Sequence, residues 1–181
     1  MSLQYSTQGF TWEPLDLVFS DGPLAALTAE IESWEGTPYM AGQQAKGAGV
    51  DCVRFVTSIL DFLVGVKTDY STLPADASLH ARDACIAGML SIKRRYPCDT
   101  VFHSERMNAK RVVQPGDVVV VGAPQGGPGH AMIVGPRPNT LWHSAHPNVH
   151  MTGLSFIVGE QKVYRVYRLH NRESWGVQPC S

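Results

Sequence analysis

The sequence predicts an α+β domain. Two apolar helix patterns occupy the first third of the chain, and short valine- and isoleucine-rich strand patterns punctuated by Gly/Pro turns fill the region after residue 114. A length of 181 residues with 44% hydrophobic and 17% charged side chains fits one globular unit, 1–181. A chain of that size buries about 70% of its unfolded surface without disulfide staples.

The elements follow in order. Leu24, Leu27, Ile31 and Trp34 recur at helical spacing, with Ser20 or Asp21 as a start signal, Pro23 in the first turn and Gly36 as the stop. A loop of glycine and small polar residues spans 36–50. A second helix, 51–64, carries Cys52, Val56, Ile59, Leu60 and Leu63 on one stripe. Residues 66–83 read as irregular. Ala84, Ala87, Met89 and Leu90 suggest a third helix whose basic end, Lys93-Arg94-Arg95, precedes Tyr96-Pro97. Pro115-Gly116-Asp117 is a turn signal, after which 118–121, 130–134, 140–145, 149–158 and 162–169 read as strands of an antiparallel meander. The expectation is therefore N-terminal helices packed on an antiparallel sheet of about five or six strands.

Charge and cysteine usage exclude several function classes. A formal net charge of -1 leaves no basic footprint for nucleic acid. No apolar run reaches the roughly 18 residues of a membrane-spanning helix. The first ten residues have neither a basic n-region nor an apolar h-region, so no secretory signal is expected; a cytoplasmic, phage-associated or otherwise exported setting fits. Cys52, Cys85, Cys98 and Cys180 form no C-x-x-C pair, which argues against a zinc ribbon or a thioredoxin-type motif.

Cys52 stands at a predicted helix start, directly after an Asp able to cap it. Backbone N–H groups and the helix dipole favour a thiolate there, and such placement lowers a thiol pKa from about 8.5 to roughly 3.5–7.5. A buried structural thiol would occupy the same stripe. A cysteine nucleophile needs a base and a polar group to orient it. If residues 135–139 close a hairpin with residue 135 opposite 140, His130 faces Ala145 and His143 becomes its diagonal neighbour on the same face, about 7–8 Å away. That register puts His146 on the opposite face.

Five blocks in order, Thr37-Pro38-Tyr39-Met40-Ala41-Gly42, Asp51-Cys52-x-x-Phe55-Val56, Gln114-Pro115-Gly116-Asp117 with its valines, His130-Ala131-Met132-Ile133-Val134-Gly135 and Leu141-Trp142-His143-Ser144-Ala145, resemble the NlpC/P60 family of papain-like cysteine peptidases. The match covers about 34–168, leaving 1–33 as an extension and 66–113 as a family-variable insertion. The resemblance implies a papain-like fold with Cys52 as nucleophile, His130 as general base, His143 as the residue orienting His130, and Tyr39 at the oxyanion. It implies hydrolysis of an amide bond in bacterial cell-wall stem peptides, such as γ-D-glutamyl–diaminopimelate, without metal or cofactor. Asp51, Arg54 and Trp34 are the expected substrate contacts. Where the family has Asp-Cys-Ser-Gly-Phe, this chain has Val53 and Arg54, and Arg54 reads either as a carboxylate-binding side chain or as an exposed first-turn residue.

Three rival readings remain at this level. His143, His146 and His150 lie within eight positions and suggest a zinc site, although strand parity separates the first two. The same chemistry fits a cysteine amidase or acyltransferase on another substrate. A non-catalytic cell-wall-binding module would keep the fold alone.

Overall fold

A computed structural model describes residues 10–14, 21–67, 92–103, 111–122, 128–159 and 163–170. The expected third helix is helical over 92–95; its earlier part, most of the irregular stretch before it, Cys85 and Cys180 lie outside the described residues. Strand β1 is Thr11–Trp12 and helix α1 is Asp21–Glu32; a short hairpin, β2 (Gln44–Ala45) and β3 (Gly49–Val50), precedes helix α2, Cys52–Val64. Strands β4 (Cys98–His103), β5 (Val112–Val113), β6 (Val118–Gly122), β7 (Pro128–Val134), β8 (Thr140–Ala145) and β9 (Asn148–Gly153) follow. Helix α3, Phe156–Gly159, and strand β10, Val163–Leu169, complete the described order.

The α+β class is as expected, with one six-stranded antiparallel sheet in the order β4-β10-β6-β7-β8-β9. The simple meander is not. β6 to β9 run in sequence, but β10 returns to the far side of β6. The reason lies in the four consecutive valines 118–121, all 0–1% exposed. A strand buried on both faces must satisfy its backbone groups along both edges. β7 takes one edge of β6 and β10 the other, pairing Val119 with Met132 and Val166.

The valines also divide the interior. Val118 and Val120 join Ala131, Ile133 and Trp142 in a core covered by Leu27 and Ile31 of α1 and Phe55, Ile59 and Leu60 of α2. Val119 and Val121 point the other way, with Met132, Val134, Leu141 and Ile157. Two further expectations need correction. Residues 149–158 do not form one strand: β9 ends at Gly153, and Phe156–Gly159 is helical. Leu154 and Ile157, three apart, are both buried there, the spacing of a helical turn and not of a strand. Strand β4 has no counterpart in the sequence reading, because an edge strand with one exposed side needs no regular apolar alternation.

The Pro115-Gly116-Asp117 turn forms as read. Gly116 adopts φ 79°, the left-handed region that favours glycine. The fully buried Asp117 carboxylate accepts from the Gln114 backbone N–H at 2.9 Å and from Arg168 Nε and Nη2 at 3.0 and 2.7 Å, locking β10 to the turn before β6. Among the described residues no helix is long and apolar enough to cross a membrane.

Candidate active site

Helix α2 begins where the sequence places it. Asp51 is extended (φ -93°, ψ 173°), and its Oδ1 accepts from the Arg54 backbone N–H at 2.8 Å, a regular N-cap. Gly65 ends the helix with φ 72° and donates its N–H to the carbonyls of the last turn. Cys52 is thus the first helical residue, 9% exposed, and not part of a disulfide. Cys98, the other such cysteine among the described residues, is half-buried; burial, reinforced by Asp99, pushes its thiol pKa up.

Residues 36–40 stitch this helix start to the outer edge of the sheet. Pro38 bridges Asn148 and Tyr39 bridges Val50. The Tyr39 N–H donates to the Pro147 carbonyl at 2.9 Å, the Val149 N–H to the Thr37 carbonyl at 2.8 Å, and the Met40 N–H to the Val50 carbonyl at 3.1 Å. Half-buried Tyr39 is therefore held beside Val50, two residues before Cys52. From the sheet, the buried Ser144 hydroxyl donates to the same Val50 carbonyl at 2.7 Å.

The β7–β8 register is the expected one: Ile133 faces Trp142 and Val134 faces Leu141. Carried two residues further, it sets Ala131 opposite Ser144, one residue from His130. His130 and His143 meet as the diagonal pairing requires, with Nε2 of His130 2.7 Å from Nδ1 of His143. His143 is 3% exposed. Its ring lies 4.4 Å from that of His150, its cross-strand partner on β9, and 5.5 Å from that of Phe156, centroid to centroid. The His150 Nδ1–H donates to the Asn148 carbonyl at 2.8 Å. Strand alternation puts these imidazoles on the sheet face of Met132 and Leu141, whereas α2 packs on the other face. Cys52 and His130 therefore share no face; each lies at the end of its element, Cys52 opening α2 and His130 near the start of β7.

Burial, with the neighbouring His130 and His150, lowers the His143 pKa from its ordinary 6.5 to about 3. His143 is thus neutral through the physiological range. When His130 is an imidazolium, both its nitrogens carry hydrogen, so His143 must accept at Nδ1 and keep its own proton on Nε2. That Nε2 is buried and has no hydrogen-bond partner among the described residues. The Nδ1 of His130 is the nitrogen not committed to His143.

A depressed histidine pKa makes stability fall on acidification. The folded state binds fewer protons than the unfolded chain below pH 6.5, so the stability present above that pH is lost as pH drops toward 3. The expected contribution of His143 is a slope of at most about 1.4 kcal/mol per pH unit in that window. Urea titrations between pH 7 and 4 measure it, and His143→Gln flattens it.

The other expected site residues belong to the framework. Arg54 is not an exposed first-turn side chain: it is 4% exposed, and its Nη1 lies 2.6 Å from Asp51 Oδ2. Asp51 is spent on the cap, on Arg54 and on the Gly42 N–H at 2.9 Å. Trp34 is 4% exposed, packs edge-on against Phe55 and donates its indole N–H to Glu30 at 2.8 Å. The contacts of all three are with the protein. His146, in the β8–β9 turn, is exposed, and among the described residues no group of three His, Cys, Asp or Glu side chains is arranged to hold a metal ion. The sequence reading does not place His150 beside His143, although the structure does. The signal for it is the two-residue turn His146-Pro147, which sets His150 opposite His143.

No family model matches the chain, and no curated protein matches it.

Proposed function

We propose that this protein is a cysteine peptidase of the NlpC/P60 type with a papain-like fold. It hydrolyses an amide bond through a thioester intermediate. Cys52 is the nucleophile, His130 the general base and acid, His143 the group that orients His130, and Tyr39 a donor to the oxyanion. The observation that carries the reading is the 2.7 Å bond between His130 Nε2 and a buried, neutral His143. It holds the ring of His130 through Nε2 and leaves Nδ1 as the nitrogen not committed to His143, the arrangement of a base oriented by a third polar group. The buried Nε2 of His143, without a hydrogen-bond partner among the described residues, opposes stability by about 1–3 kcal/mol, which argues for a chemical role over a packing one.

In this mechanism His130 Nδ1 takes the Cys52 proton, and the thiolate attacks the carbonyl carbon. The Cys52 backbone N–H at the start of α2 and Tyr39 stabilise the oxyanion. Imidazolium His130 then protonates the departing amine, leaving the acyl group on sulfur. A water deprotonated by His130 hydrolyses the thioester and restores the thiol. No step needs a metal or cofactor. The substrate proposed is a bacterial cell-wall stem peptide containing a γ-D-glutamyl–diaminopimelate bond. Incubation with purified muropeptides, read by mass spectrometry, tests this: cleavage products with a free diaminopimelate amine support it, and intact muropeptides alongside turnover of another acyl substrate would move the activity to an amidase or acyltransferase.

A further inference from the structure

The head of α2 carries a buried ion pair that the mechanism above does not use. Side chains of Asp51 and Arg54 are 10% and 5% exposed and meet at 2.6 Å. The Asp51 carboxylate caps the helix through Arg54 N–H and tethers the 36–50 loop through Gly42 N–H. Neither job demands a charge, since Ser and Asn cap helices as well as Asp does. A carboxylate beside the nucleophile also has a drawback: a like charge disfavours ionisation of the neighbouring thiol. Net stability does not explain the pair, because buried ion pairs seldom outperform apolar replacements.

We propose that Arg54 is a positioning residue for the reactivity of Cys52. Its permanent charge cancels that of Asp51, so the cap and the loop tether are kept while the helix N-terminus still favours a thiolate. Among the described residues, the other charged and titratable groups on α2 and on the elements packed against it do not bond to Asp51: Asp61 of α2 accepts from the Tyr96 hydroxyl. Glu30 and Glu32 of α1 pair with Lys46 and Arg137, β2 carries none, and neither His130 of β7 nor His143 of β8 bonds to Asp51. Tyr39, on the adjoining 36–40 segment, does not bond to it either.

The test is the pH dependence of iodoacetamide alkylation at Cys52 in the full chain, resolved from the other thiols by peptide mass spectrometry. Arg54→Met is expected to raise the alkylation midpoint by about one pH unit, which is about tenfold slower alkylation at pH 6. Asp51→Asn, which retains a capping side chain, is expected to lower it by a similar amount, and Arg54→Lys to stay near the parent. Midpoints within about 0.3 unit of the parent in both charge-removing variants, or shifts of the same sign, overturn the proposal. Should Arg54→Met not fold, Asp51→Asn decides alone: a midpoint that fails to drop overturns it. The consequence for turnover rests on Cys52 being the nucleophile, but alkylation reads the thiol itself. Opposite shifts without muropeptide cleavage would therefore sink the peptidase reading and leave the charge cancellation standing.

Discussion

Cys52→Ala is expected to reduce amide hydrolysis by about 10⁴-fold or more, because covalent catalysis loses its nucleophile and the remaining groups act as a unit with it. The fold is expected to persist. Cys52 is small and packs in a satellite cluster with Val53, apart from the two main cores. The loss in stability is correspondingly small, and a urea midpoint near that of the parent is the control that separates lost chemistry from lost structure. Muropeptide cleavage measured by mass spectrometry reads the rate. Retained turnover in this variant would remove the thioester route altogether.

His130 and His143 are expected to differ in the size of their effects, and the difference identifies their roles. His130→Ala removes the base and acid at both proton transfers, an expected loss of about 10²–10⁴-fold in kcat. His143→Ala leaves that base in place but frees its ring to rotate, so the loss is smaller and falls on orientation. His143→Gln keeps an acceptor toward Nε2 of His130 and is expected to recover part of it. Equal losses for the two alanine variants would mean that His143 takes part in proton transfer itself.

Much of this site is legible in the sequence, for identifiable reasons. Asp51 followed by an apolar stripe states both the cap and the start of α2, and the structure keeps both. The 135–139 turn sets the β7–β8 register, and with it the meeting of His130 and His143, because a one-residue slip would move every side chain to the other face. Long-range placement is less legible. Nothing local to Val163–Leu169 says that it pairs with β6 instead of β9; that follows from a valine run buried on both faces, a tertiary fact. Arg54 misleads for a related reason: a first-turn arginine is ordinarily solvated, and only a buried carboxylate partner turns it inward. Trp34 shows the same limit, since an aromatic at helical spacing serves a core and a cleft equally well until α2 covers it.

Cysteine catalysis here requires Cys52 and His130 to converge at the ends of α2 and β7, although strand alternation turns His130 to the sheet face that α2 does not cover. Bifunctional alkylation with 1,3-dibromoacetone tests that convergence, since one short bridge can join a thiol to an imidazole only when both reach the same spot. The predicted result is a covalent link between Cys52 Sγ and His130, mapped by tandem mass spectrometry and lost in His130→Gln. Cys52 alkylated at one end only, with His130 unmodified, or bridged instead to another side chain, would contradict the account.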